Sequence, residues 1–126
     1  MDSRPKTERL LVVDDEPLAR TALLYFLQVK GFAVEAVASG DEALERLRHE
    51  PFDLVITDNQ MTGMSGLELA QAVKANWPAL PVVMFTAHPP GGLPTGVDLV
   101  LTKPSDVSIL RQSVRQILDK VRGSAT

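Results

Sequence analysis

Cysteine is absent from the 126 residues, which excludes disulfides, zinc–thiolate sites and cysteine nucleophiles. Aromatic residues are scarce at 5%, with one Trp and one Tyr. A basic excess is also missing. Lys plus Arg number 13 against 16 Asp plus Glu, a net charge of −3, which argues against nucleic-acid binding by this chain alone. No apolar run reaches the ~20 residues of a membrane span, and the first nine residues are too polar for a signal peptide. A cytoplasmic protein is the resulting expectation. What the chain does have is a balanced interior. Apolar residues make up 44% and charged residues 23%, enough for one self-sufficient domain. That domain is expected over residues 9–122, with flexible ends at 1–8 and 123–126.

Short apolar runs alternate with segments of helical period. Runs at 10–13, 32–37, 54–57, 81–86 and 99–102 read as strands. Pro17 suits the first turn of a helix that carries Leu18, Ala22, Tyr25, Phe26 and Val29 and stops at Gly31. Residues 40–49 form a second helical stretch with Ser39 as its cap. Ser65 and Glu68 make a capping box for a third, to about Asn76 and ending on Trp77. Ser105 is placed to cap a last helix to about Val121. Several strands are apolar at consecutive positions, the mark of a parallel sheet buried on both faces. The fold class is therefore α/β, a doubly wound five-stranded sheet. One helix is missing from the alternation, between the fourth and fifth strands.

Ligand sites in such sheets lie beyond the carboxyl ends of the strands. Those ends carry Asp14 and Asp15, Asp58, Thr86 and Lys103. Three carboxylates, a hydroxyl and an ammonium on one edge are costly unless something binds there. A hard divalent cation relieves the carboxylate repulsion, and magnesium, which takes few carboxylates and keeps several waters, fits best. Beside it, Lys103 and Thr86 suit a phosphoryl group, and one carboxylate suits a nucleophile that forms an acyl phosphate.

The segments LLVVDDEP, DLVITDNQMTGMSGLEL, VVMFTA and LVLTKP, in this order and spacing, resemble the receiver domain of two-component response regulators. The resemblance covers nearly the whole chain. It implies a flavodoxin-like fold with strand order 2-1-3-4-5. It implies that Asp58 accepts a phosphoryl group from a histidine kinase or a histidine phosphotransfer protein. Magnesium is then held directly by Asp15 and Asp58, through water by Asp14, and by the backbone carbonyl of Gln60. Thr86, Ala87 and Lys103 become the phosphoryl-binding and switch positions. His88, at the pocket rim, and Pro104, at a joint that is often cis in the family, become modulatory positions. His49, at a helix end, has a structural reading, as do Met61 and Met64 packing over the loop after the third strand. Arg111, Arg115, Lys120 and Arg122 read as a solvated face.

Three departures from the family pattern stand out. Thr62 replaces the usual Pro after Met61. Val100 stands where relatives carry an aromatic on the fifth strand. HPPGGLPTG, residues 88–96, has three prolines and three glycines in nine positions. Proline costs about 3 kcal/mol inside a helix and glycine about 1 kcal/mol, so the family's helix between the fourth and fifth strands is expected to be degenerate or replaced by a loop. The family's usual dimer face then loses a part, which leads to an expectation of a monomer. Two other readings remain at this point. One is a receiver-fold interaction module that phosphorylation no longer regulates. The other is a haloacid-dehalogenase-type phosphatase, suggested by the loop from Asp58 to Gly63, although its second acid is Gln60 here.

Overall fold

The computed structural model describes residues 7–124. Residues 1–6, 125 and 126, which the sequence assigns to flexible ends, lie outside the described residues. The order of elements is β1 (Arg9–Val13), α1 (Pro17–Val29), β2 (Ala33–Val37), α2 (Gly40–His49), β3 (Leu54–Thr57), α3 (Gly66–Asn76), β4 (Val82–Thr86), β5 (Leu99–Thr102) and α4 (Val107–Ser124). All strand pairs are parallel, in the order β2-β1-β3-β4-β5. This is the expected doubly wound sheet.

Consecutive apolar residues explain why the sheet sits in the middle. Leu10 and Val12 of β1 face one layer with Leu27, Ile56, Leu110 and Val114. Leu11 and Val13 face the other with Leu44, Val55, Leu69 and Val73. Each strand feeds both cores, so neither face can be left to water.

Helix starts follow local chemistry. Ser39 Oγ accepts the Glu42 amide at 3.1 Å, and Ser65 and Glu68 form the capping box in both directions. α1 is capped by Glu16, whose side chain accepts the Leu18 amide at 3.0 Å ahead of Pro17. Trp77 ends α3, donating its amide to Val73. The last helix starts later than expected, because Ser105 does not cap it. The chain turns at Lys103–Pro104, a cis bond, and Ser105 Oγ donates back to the Thr102 carbonyl at 3.5 Å. Asp106 spends its carboxylate on the Thr102 amide at 2.9 Å. α4 then runs to Ser124, past the expected end at Val121. Arg115 pairs with Glu8 at 2.9 Å and Arg122 pairs with it too, so this face is only partly a solvated one.

No helix forms between β4 and β5. The segment 87–98 closes directly onto α3 instead. Gly96 has φ +89, and a Cβ there would lie 3.3 Å from the Ala70 carbonyl group. Val97 beside it is buried in the α3 core layer. Asp98 accepts from the Val82 amide at 2.7 Å and the Lys74 ammonium at 2.8 Å, pinning the return into β5.

Four charges meet beside the first residue of β1 and the middle of β2. Arg9 donates to Glu50 at 3.0 Å, Arg46 donates to Glu35 at 2.7 Å, and Arg46 also pairs with Glu50. The Arg9 hydrogen bond, followed by the nearby guanidinium charges, holds the Glu50 carboxyl below its ordinary value of 4.5 despite some desolvation. A lowered folded pKa gives stability that is present above the unfolded value and lost as pH falls through the folded one. The gap in urea midpoint between wild type and Glu50→Gln is therefore expected to be open at about pH 6 and to close as acidification passes below the ordinary 4.5 and through the lowered folded value. An equal gap at both ends would refute it.

Candidate functional site

Sheet register assembles the site. Val13 lies opposite both Val37 and Thr57, so Asp14 and Asp58 leave neighbouring strands at the same level. The ladder continues one residue further, with Asp58 N donating to the Val13 carbonyl at 2.9 Å. Thr86 lies opposite Thr102, and Lys103 N donates to the Thr86 carbonyl at 2.9 Å. Lys103 reaches across from β5. Its Nζ donates to Asp14 Oδ2 at 2.5 Å and to Asp58 Oδ2 at 3.1 Å.

The Asp14 side chain is 3% exposed, that of Asp58 16% and that of Lys103 19%. Burial is the largest influence on Lys103 and opposes its charge. The Asp14 hydrogen bond and the charges of Asp14 and Asp58 together outweigh it, so the ammonium titrates above its ordinary value. It is a fixed cation at neutral pH.

The other oxygens are oriented by main-chain amides. Asp14 Oδ1 accepts from Glu16 N at 2.9 Å, and Asp58 Oδ1 from Asn59 N at 2.6 Å. Asp15 turns toward the loop after β3, where its Oδ2 accepts from Thr62 N at 2.8 Å. Asp15, Asn59, Gln60, Met61 and Thr62 border an open cleft of about 550 Å³. Thr62 therefore contributes its amide in a loop where the sequence suggested only a missing proline.

Thr86 is fully buried, and its Oγ1 accepts from the His88 amide at 3.2 Å. The hydroxyl is thus engaged with its own loop and makes no hydrogen bond to the carboxylates. Ala87 and His88 are exposed beside it. Pro104 lines an apolar groove of about 350 Å³ with Ala22, Phe26, Phe85 and Val107. Lys103 also lines that groove, its Nζ 5.7 Å from the Phe85 ring centroid.

His49 lies at the end of α2, its Nδ1 2.9 Å from the Glu45 carbonyl, away from this edge. Met64 packs its sulfur over Gly40, and both Met61 and Met64 lie against the α2–α3 core. Sequence reasoning overlooked Arg20, which donates to the Asp14 carbonyl at 3.0 Å, and the buried Thr57, whose hydroxyl donates to the Asp58 carbonyl at 2.7 Å. Neither has a local signal: one helix arginine and one strand threonine look like any other.

Among the described residues, no three His, Asp or Glu side chains close around one point as a metal centre built from side chains alone. The donor set is a different one. Three hard carboxylates face a single ammonium, and a peptide loop lies beside them. That set fits a small hard cation that keeps much of its own water. It can also present one carboxylate, Asp58, next to a cation that would meet incoming anionic oxygens.

Among the described residues no helix is long and apolar enough to cross a membrane. The model of the response regulator receiver domain family matches residues 10–115. The chain is 36% identical over 122 residues to the transcriptional regulatory protein GlrR of Escherichia coli K12, covering 91% of this chain and 27% of that protein. It thus spans about a quarter of that relative's length. Among solved structures it resembles the Thermotoga maritima response regulator TrrA in complex with Mg²⁺–BeF. The TM-score is 0.83 and the identity 32%, over 88% of this chain and 99% of that one. TrrA is similar again, at TM-score 0.82 and 31% identity over 89% and 99%, in its complex with the histidine kinase ThkA. With strand order, site geometry and family match in agreement, the chain belongs to the response regulator receiver domain family of two-component signalling.

Proposed function

We propose that Asp58 accepts a phosphoryl group from a histidine kinase or histidine phosphotransfer protein, with magnesium, and that a protein partner reads the modified state. The observation that carries this is the Lys103 ammonium bridging Asp14 and Asp58 at the mouth of the sheet. Asp58 Oδ attacks phosphorus, the phosphorus–nitrogen bond of the donor phosphohistidine breaks, and its electron pair returns to the imidazole, which takes up a proton. Asp58 is the one residue of this chain that forms a covalent bond in the step. Lys103 is placed to shift from the carboxylates to the new phosphoryl oxygens, and the Thr86 hydroxyl to exchange its His88 amide for one of them. Asp15, Asp58 and the Gln60 carbonyl would hold magnesium, with Asp14 joined through water. That ion supplies neutralisation of the phosphoryl charge. TrrA, solved with Mg²⁺–BeF, supports the assignment. The chain acts here as an acceptor in a relay, in the cytoplasm, and not as an enzyme that turns over a substrate.

The donor's approach is supported by the apolar groove that Lys103 helps to line. On α1 the exposed Leu18 and Tyr25 lie one helical turn from the lining residue Ala22, which together would offer a seat for an amphipathic helix that presents a histidine. The complex of TrrA with a histidine kinase is in keeping with that. Intact mass after incubation with acetyl phosphate and magnesium tests the assignment. One added phosphoryl group, removed by hydroxylamine, is expected. No adduct from acetyl phosphate or from a phosphorylated protein donor would refute it.

The unregulated interaction module has two observations in its favour, Val100 in place of a ring and the missing helix after β4. In our reading these move the switch instead of removing it. His88, bonded to Thr86, opens the segment 87–98, so pulling the Thr86 hydroxyl inward releases that amide. Residues 87–95 are expected to change amide-exchange protection on binding a phosphoryl analogue, while 96–98, pinned to α3, change least. Identical protection with and without the analogue would favour the module. With that segment in place of a helix, the chain is also expected to remain a monomer.

A further inference from the structure

The first residue of α3 lies against the main chain of Asp58. A Cβ added to Gly66 would fall 2.1 Å from the Asp58 carbonyl oxygen and 2.8 Å from Asn59 Cα. Both neighbours are backbone, so neither can swing aside as a side chain would. Nor can Gly66 retreat. Its amide donates to the Asn59 carbonyl at 2.8 Å, and the Ser65–Glu68 capping box fixes where the helix begins. Asp58 is gripped from the remaining directions as well. Its amide donates to the Val13 carbonyl at 2.9 Å, and its carbonyl accepts from the Thr57 hydroxyl at 2.7 Å. The carboxylate has a short reach of two bonds from this main chain, so its distance to Lys103 is decided by where the backbone sits.

We propose that Gly66 is a positioning residue for Asp58. Its missing side chain lets α3 press the 58–60 backbone into the one placement that aims the Asp58 carboxylate at Lys103 and the Gln60 carbonyl at the cleft. The inference rests on the phosphoacceptor reading of Asp58 but is tested apart from it. A methyl group at this position has to push the loop outward. Misplacement of reacting groups by about 1 Å costs on the order of a hundredfold in rate.

The test compares full-length Gly66→Ala with Ala70→Gly. The second change lies one turn further along the same helix and weakens it without adding an atom near Asp58. Three quantities are read: the urea midpoint, the magnesium dissociation constant from the Asn59 and Gln60 amide resonances, and the rate of phosphoryl uptake from acetyl phosphate at saturating magnesium. Gly66→Ala is expected to weaken magnesium binding and slow uptake by roughly tenfold or more each. Ala70→Gly is expected to lower the midpoint and leave the other two within about twofold, as a helix weakened away from the reacting groups should. Wild-type values in folded Gly66→Ala, or equal losses in Ala70→Gly, would overturn the proposal.

Should Gly66→Ala not fold, the wild-type protein decides. The Gly66 α-proton resonances are expected to move along the same magnesium titration curve as those of Asn59, and an unmoved Gly66 overturns the proposal. Magnesium binding without any phosphoryl uptake by the wild type would end the phosphoacceptor reading alone, the titration still deciding the role of Gly66. Neither binding nor uptake would overturn both.

Discussion

Asp58→Asn is expected to take up no phosphoryl group from acetyl phosphate and magnesium, under conditions where the wild type gains one. The amide oxygen is a far poorer nucleophile than a carboxylate, and no neighbouring acid is positioned to substitute. Asp14 is almost wholly buried, with its oxygens committed to Lys103 and Glu16 N. Asp15 faces the Thr62 amide. The fold should survive, because the Lys103–Asp14 pair and the main-chain bonds of residue 58 remain. The substitution also removes one of three carboxylates that repel each other. Metal-free stability is therefore expected to hold or rise slightly in thermal melts. An adduct that persists in the variant, mapped to Asp14 or Asp15, would show that the nucleophile is misassigned.

Among the charged groups at this edge, Lys103 is expected to have the largest effect on stability when replaced, as in Lys103→Met. That substitution leaves the buried Asp14 carboxylate and that of Asp58 without their shared cation. Removing one member of a fully buried pair costs about 3–5 kcal/mol. Partial exposure of Asp58 and Lys103 reduces this to about 1–3 kcal/mol here. The loss should depend on metal. A divalent cation compensates the same two carboxylates, and magnesium at ~100 times its dissociation constant contributes about 2.7 kcal/mol to whichever form binds it. Urea unfolding with chelator and with excess magnesium separates the two cases. A deficit that is the same in both would mean that Lys103 acts through packing against Phe85 and not through charge. The sign with pH follows from the raised ammonium pKa. Its contribution is complete below the unfolded lysine value and disappears as pH climbs through the folded one, so only strongly alkaline solutions abolish it.

Much of this was legible in the sequence, for reasons that differ by residue. Leu10–Val13 and Val82–Phe85 are apolar at every position, which only a strand covered on both faces requires. Charged or hydroxyl residues directly after such strands fall at one edge by topology alone, so Asp14, Asp58 and Lys103 could be placed before any coordinates. The prolines and glycines of 88–96 correctly removed a helix. What stayed hidden depended on contacts between distant segments. Ser105 looked like a cap, but the turn at Pro104 directs its hydroxyl back to Thr102. Glu16 caps α1 from a residue type with weak capping preference. Thr86 has the expected address but a different partner, the His88 amide. Gly66 is the clearest case, since nothing local demands a glycine in the first turn of a helix and only the Asp58 carbonyl explains it.

The grip of Arg115 and Arg122 on Glu8 has a consequence for modular assembly. Because every strand runs the same way, the lead-in to β1 lies at the rim of the sheet opposite Asp58, and these two arginines bring the last helix to that same rim. A fold whose incoming and outgoing segments meet away from its reactive rim can be spliced into a larger polypeptide, or circularly permuted, while access to the carboxylate stays open. Reconnecting 7 to 124 through a short linker and opening the backbone at Gly31, exposed ahead of β2 where an added side chain would meet nothing, would give a permutant with the rim that carries Asp58 intact.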